Sequence, residues 1–347
     1  MNNQVDQNGK SQSSFRNLFP VILILIGIIL RVLMLFYFYA IHIFDPGRSW
    51  NDLGAYFTKN LTSPPLTIGF LEIFRFLSFG SIYLFAFWGF FWDLMICILF
   101  YFVLKSFKIK NIKYAYGLFL INPFYFLKNV FSIDTCGYHI TDAFFLFLLL
   151  LALYFYPKTD NISLYLFYLF LGLSICSKYY TLPAVAFLFF KFLLEKNWKE
   201  LKILMSTTVL TIIIFIIIPL FITDWFFDVL FKWSSTGLDI PLPIKLIPLG
   251  IAAVLYLILR IKKARPFEII FFSVFITGLY MIFSYPYLRW FQSILFYGIL
   301  TESVIYFFNI KIGKLNKTIT INNHNMTFLL SIVGVIGSFI LISLNLI

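Results

Sequence analysis

An all-α, polytopic transmembrane fold of about 11 spans is predicted by three features of this sequence. Hydrophobic residues make up 61% of the 347 and charged residues only 12%. Apolar runs of roughly 20 residues, enough to cross a hydrocarbon core as helix, recur from one end to the other. Lys and Arg cluster in every second loop, as the positive-inside rule requires of a chain that threads a bilayer repeatedly. A closed β-barrel would need alternating apolar and polar residues, whereas these runs are continuous.

Residues 1–17 are polar and predict a disordered cytoplasmic N-terminus ahead of one transmembrane domain over 18–347. The first span, 18–44, is too long for a cleavable signal segment and has no small-residue cleavage site. An outer loop follows, FDPGRSWNDLGAYFTKNLTSPPLTIGF, with polar groups concentrated between two apolar runs. Within it Trp50, Leu53, Phe57 and Leu61 recur at helical spacing, so 49–61 predicts a short amphipathic helix lying in the membrane interface. Pro64 and Pro65 end that helix, because a proline pushes the residue before it out of helical geometry.

The second span, 81–104, returns to Lys105, Lys108, Lys110 and Lys113, which mark the cytoplasmic side. The third rises over 114–132 to an outer turn holding Asp134, Cys136 and His139, and the fourth descends from Asp142 to Tyr156. A fifth span, 162–177, carries Lys178 at its outer end, and a short sixth over 181–194 returns to Lys191, Lys196, Lys199 and Lys202. The seventh, 203–222, opens into a second outer loop with Asp224, Asp228, Lys232 and Asp239. The eighth to tenth alternate through Arg260, Lys262, Lys263 and Arg265 inside, SYPYLRW outside, and Lys311, Lys314 and Lys317 inside; the eleventh is 326–346. On this topology 18 of the 27 Lys and Arg lie inside, while Asp45, Asp52, Glu72, Asp134, Asp142, Asp224, Asp228 and Asp239 all lie outside.

The formal charge of +12 is therefore a signal of topology, not of a nucleic-acid partner. Cys97, Cys136 and Cys176 give neither a disulfide framework nor a metal spacing and read as small apolar filler. No HExxH or CxxC occurs, so no metal and no cofactor is expected. Arg31 and Asp93 lie halfway along consecutive spans of opposite direction, hence at one depth. A lone charge there costs about 2.5 to 3.5 kcal/mol, so the two are expected to form a structural ion pair.

Several short motifs then fall in a recognisable order. Asp52, Leu53 and Tyr56 precede Pro64, Pro65 and Leu66; Asn122 and Pro123 precede Gly137 and Asp142; Lys178 precedes Pro183; and Tyr285, Pro286, Tyr287 and Arg289 form a late outer turn. This order resembles the C superfamily of glycosyltransferases (GT-C), in particular its branch of GPI mannosyltransferase-like and prokaryotic integral-membrane mannosyltransferases. Tyr285 stands where many relatives carry His, and Asp45 and Asp52 are not a tight Asp-x-Asp pair. The resemblance implies an enzyme that moves a mannose-like hexose from a polyprenyl- or dolichyl-phosphate donor to a lipid-linked or glycan acceptor. It would act on the outer or lumenal face of the cell membrane, or of the endoplasmic reticulum in a eukaryote, with membrane lipids as its surroundings.

That chemistry suits the residues. A sugar phosphate leaves readily, so inversion needs one carboxylate to take the acceptor proton and cations where phosphate charge develops. Asp52 is the expected base, with Asp45, Tyr56, His139, Asp142, Lys178 and Arg289 as expected donor and substrate contacts. Simpler roles stand beside these: Asp52 as one end of a capping box begun at Ser49, Asp142 as an N-cap, Asp45 and His139 as turn residues, and Lys178 and Arg289 as cations snorkelling to the interface. A membrane transporter or a lipid or oligosaccharide flippase is the alternative, and it would favour broken helices and charges at the membrane midplane.

Overall fold

The computed structural model describes residues 18–33, 36, 64–109, 112–121, 140–222, 250, 265–267, 269–270, 273–274 and 277, and the stretches 306–312 and 317–322. The N-terminal 17 residues, the predicted loop helix over 49–61, both large outer loops and the eleventh span lie outside the described residues. So does most of the predicted eighth to tenth spans.

In chain order the helices are α1 (Leu18–Leu33), α2 (Pro65–Leu77), α3 (Ile82–Ser106), α4 (Ile112–Leu120), α5 (Ile140–Phe155), α6 (Asn161–Ser177) and α7 (Leu182–Leu194). The eighth, α8, is a helical run over 198–222, and a hairpin of β1 (Tyr306–Ile312) and β2 (Lys317–Asn322) comes late in the chain. Two stretches, Ile82–Ser106 and Trp198–Ile217, are long and apolar enough to cross a membrane. A third is available if α6 and the Tyr179–Leu194 stretch, bent by 119° from each other, count as one span. At 1.5 Å per residue α3 is about 37 Å long, more than a hydrocarbon core needs. Its inward face buries Phe85, Ile96, Phe100 and Leu104, and its outward face shows Phe87, Leu94, Ile98 and Phe102. Apolar side chains all round are compatible with lipid as the surrounding solvent.

Neighbouring helices alternate in direction. α3 meets α4 antiparallel through the rings of Phe100 and Phe119, 4.2 Å apart, and of Tyr101 and Tyr116, 5.7 Å apart. It runs parallel to α5, touching it through Trp92 and Phe147 towards one end and Phe107 and Tyr156 at the other. α5 opposes α6 through Phe155 with Phe170, and Phe145 meets Tyr180 just past the end of α6. α6 and α8 are parallel, as Lys199 donates to Asn161 near their starts and, further along both, Cys176 donates to the Thr211 carbonyl.

Close approach at two seams depends on glycine. A Cβ on Gly27 of α1 would fall 2.3 Å from the Leu120 Cβ of α4, and one on Gly117 of α4 would fall 2.7 Å from the Leu23 Cβ. Gly172 of α6 has the Thr208 Cα of α8 3.1 Å from where its Cβ would be. There α8 passes through π-helical turns at Leu204–Val209 and Ile213–Ile217, and Thr207 and Thr211 turn their hydroxyls back onto the carbonyls four residues earlier.

The sequence reading is extended at one point and corrected at another. Pro65 takes the first position of α2, where a fixed φ and a missing N–H cost nothing; the loop helix that the two prolines were expected to end lies outside the described residues. The helix of the predicted seventh span, α8, begins at Trp198, five residues ahead of the predicted 203, because Asn197 caps it by accepting from the Glu200 N–H.

Candidate functional site

One end of the bundle collects the described members of the predicted site. α6 closes at Ser177; the Ser174 carbonyl still accepts the Lys178 amide, and hydroxyl donors crowd the same end. Ser174 donates to the Leu171 carbonyl and Ser177 to the Ser174 carbonyl, both at 2.7 Å. Thr67, in the first turn of α2, reaches across to the Ser177 carbonyl at 2.7 Å. Lys178 is then extended (φ −154°, ψ 137°), a single 3₁₀ turn Tyr179–Thr181 follows, and Pro183 sits in the first turn of α7.

Lys178 Nζ stands 5.5 Å from the centre of the Tyr180 ring, and that ring meets Phe145 edge-on at 5.1 Å. Asp142 lies in the first turn of α5, three residues before Phe145, so α5 and α6 bring Asp142 and Lys178 to the same end. Above them α2 lies across an aromatic layer. Phe70 stacks on Phe144 at 3.7 Å, and Phe74 packs edge-on against Trp88 and Trp92 at 5.0 and 5.8 Å. Both indole N–H groups are buried without an acceptor among the described residues. Arg75, 9% exposed and paired with Glu72, adds a second cation on α2, about 12 Å along the helix from Thr67.

Asp45, Asp52, Tyr56, His139 and Arg289 lie outside the described residues, as do Cys136 and the late Tyr-Pro-Tyr turn. Arg75 is the cation that sequence reasoning passed over. Its signal was present: Glu72 three residues earlier on a helix that opens with proline.

A second cluster lies among α1, α3 and α4. Arg31 Nε donates to Asp93 Oδ2 at 3.0 Å, the pair expected from matching depth, with side chains 13% and 6% exposed. Arg31 Nη1 also donates to the carbonyls of Gly27 and of Leu120, the last residue of α4, where the helix dipole favours a cation. The guanidinium carbon is 5.7 Å from the centre of the Phe119 ring, and Cys97 offers its thiol to Asp93 Oδ1 at 3.8 Å. Cys97 and Cys176 are both free and buried, each with a weak polar contact. Among the described residues no group of three or more His, Cys, Asp or Glu gathers in a way that could hold a metal ion.

Fold and clusters together define a helical bundle with apolar helices long enough to cross a membrane and polar residues gathered at one end. Comparison with protein-family models, curated proteins and solved structures finds no match.

Proposed function

We propose that this chain is an integral-membrane glycosyltransferase of about 11 spans, with its N-terminus in the cytoplasm and its site on the outer or lumenal face. It takes a mannose-like hexose from a polyprenyl- or dolichyl-phosphate donor and transfers it, with inversion, to a lipid-linked or glycan acceptor. Asp52 accepts the acceptor proton, and Lys178 and Arg289 balance phosphate charge as the bond to the donor breaks. The observation that carries this reading is the bond from Thr67 to the Ser177 carbonyl. It ties the start of α2, just past the loop that holds Asp45, Asp52 and Tyr56, to the residue before Lys178. That tie supports the reading in which the loop's carboxylate and Lys178 work at the same end of the bundle.

The test is Asp52→Asn, which keeps size and capping ability but cannot take a proton. Transfer from a polyprenyl-phosphate sugar in membranes should fall on the order of 100-fold to 10,000-fold with little change in folded yield. Asp45→Asn should be milder. Undiminished transfer by Asp52→Asn removes the mechanism.

A transporter or flippase is the second reading, and the Arg31–Asp93 pair on the terminal carbonyl of α4 favours it. Mid-membrane charges beside a helix end are what such proteins use to hold cargo. Wild-type protein that transfers nothing from any polyprenyl-phosphate sugar, yet moves a labelled lipid or sugar across vesicles, would establish that reading instead.

A further inference from the structure

We propose that α2 is a re-entrant half-helix, which starts level with the middle of α3 and keeps its outward face in the acyl chains of one leaflet. Its depth follows from ring contacts. Phe70 meets Trp92 at 5.3 Å and Phe74 meets Trp88 at 5.0 Å, so four residues forward along α2 are four residues back along α3. The two helices are thus antiparallel, joined by the tight turn 78–81. Trp92 stands next to Asp93 and about 15 Å from the start of α3, so Phe70 is level with the Arg31–Asp93 pair and Thr67 lies deeper still.

A second route agrees. Phe147 of α5 meets the same Trp92 at 4.9 Å, and Phe145 meets Tyr180, which places the end of α6 at this level as well. There the Ser177 carbonyl accepts from Thr67. In hydrocarbon no water is at hand for a helix-end carbonyl, and a hydroxyl from a second helix end supplies the bond.

The side chains of α2 choose its cover. Gly69, Ile73 and Phe76 line the face turned away from α3 and α5, and Phe76 is 80% exposed. Exposed Phe87 and Leu94 of α3, a helix long enough to cross a membrane, stand at the same levels, so the two apolar faces occupy one layer. Phe79, in the turn, is 86% exposed and holds a left-handed backbone (φ 47°) that a bulky residue adopts only under strain. A ring so exposed gains nothing from water; immersion in hydrocarbon stabilises it. The charges agree. From a helix lying flat at the surface the long stem of Arg75 would reach water, yet Arg75 is buried and paired with Glu72, so the two charges cancel where they stand. The inference rests on the membrane reading and is independent of any transfer activity.

Full-length protein with Cys136→Ser would be reconstituted into phosphatidylcholine nanodiscs, Cys97 and Cys176 being buried. Spin labels would be carried one at a time on Gly69→Cys, Ile73→Cys and Phe76→Cys of α2 and on Phe87→Cys and Leu94→Cys of α3, with depth read from the ratio of oxygen to nickel-chelate accessibility. These are exposed positions, and nothing lies within 4 Å of the Gly69 Cβ position, so the fold is spared. All five labels should lie in lipid. Label 69 should be about 10 Å deeper than label 76, with 73 between them, because seven residues of helix separate the two. Label 69 should match 94 in depth, and 76 should match 87.

Three outcomes overturn the proposal. Equal depth at 69, 73 and 76 would make α2 a helix lying flat. Labels in water on α2 with those on α3 in lipid would put it outside the membrane. Shielding of the α2 labels from both reagents would mean that protein, a second copy or another part of the chain, covers the face. Labels on α3 outside lipid, or a protein that does not enter discs, would sink the membrane reading first and the proposal with it, and that failure is thereby distinguishable.

Discussion

Arg31 and Lys191, two of the largely buried cations among the described residues, each meet a carboxylate, and they do so differently. Lys191 pairs with Glu195 one turn along α7, a contact settled by spacing within a single helix. Arg31 pairs with Asp93 across 62 residues of chain and donates as well to the carbonyls of Gly27 and Leu120, so one side chain joins three helices. A local pair supports a helix that would form regardless. The long-range pair helps decide which helices are neighbours, and its loss leaves a charge and two carbonyls stranded together.

The largest effect should therefore come from Arg31→Leu or Asp93→Leu. Removing one partner of a buried pair costs about 3 kcal/mol or more, read as lost folded yield and an earlier thermal transition in detergent. The swap Arg31→Asp with Asp93→Arg should recover only part of the loss, because the Gly27 and Leu120 carbonyls need a donor at position 31. Equal stability of all three variants would end the comparison. Arg31→Lys should also fall short, since an ammonium cannot present the planar fork that serves Nε and Nη1 acceptors together.

Next in size is Gly27→Ala. The new Cβ would press on the Leu120 Cβ and backbone, atoms that cannot rotate away, so a cost of about 1 to 3 kcal/mol is expected. Gly69→Ala on α2 is the matched control, for nothing lies within 4 Å of its Cβ position. There the gain in helix propensity should stabilise by about 0.5 to 1 kcal/mol. A larger loss at Gly69 than at Gly27 would mean that the α1–α4 seam is misjudged. Smallest is Lys191→Gln, about 0.3 to 0.5 kcal/mol by the same thermal measurement.

These elements also mark where the sequence was legible. The predicted spans at 81–104 and 162–177 return as α3 and α6 with ends moved by no more than about two residues, because crossing hydrocarbon demands an unbroken apolar run that composition alone reveals. The Arg31–Asp93 pair was legible for a related reason, since depth along two consecutive spans is a count of residues. α2 was not. Its thirteen residues are too few to cross a membrane, and its opening prolines were taken for an end when they also make a beginning. Of the site, Lys178 and Asp142 come to one end of the bundle, but what joins α2 to α6 there is a threonine hydroxyl on a backbone carbonyl, and no residue pattern announces such a bond.

The 62 residues between Arg31 and Asp93 are also an interval of time. At a synthesis rate of about 5 to 20 residues per second, Asp93 emerges some 3 to 12 s after Arg31. On the membrane reading, α1 must spend that interval with an uncompensated guanidinium, at a cost comparable to the whole advantage of inserting several leucines. The first helix of this protein is thus made before it can be stable where it belongs. It must linger beside the insertion machinery or at the water boundary until its partner arrives, so the order of synthesis becomes part of what the fold requires.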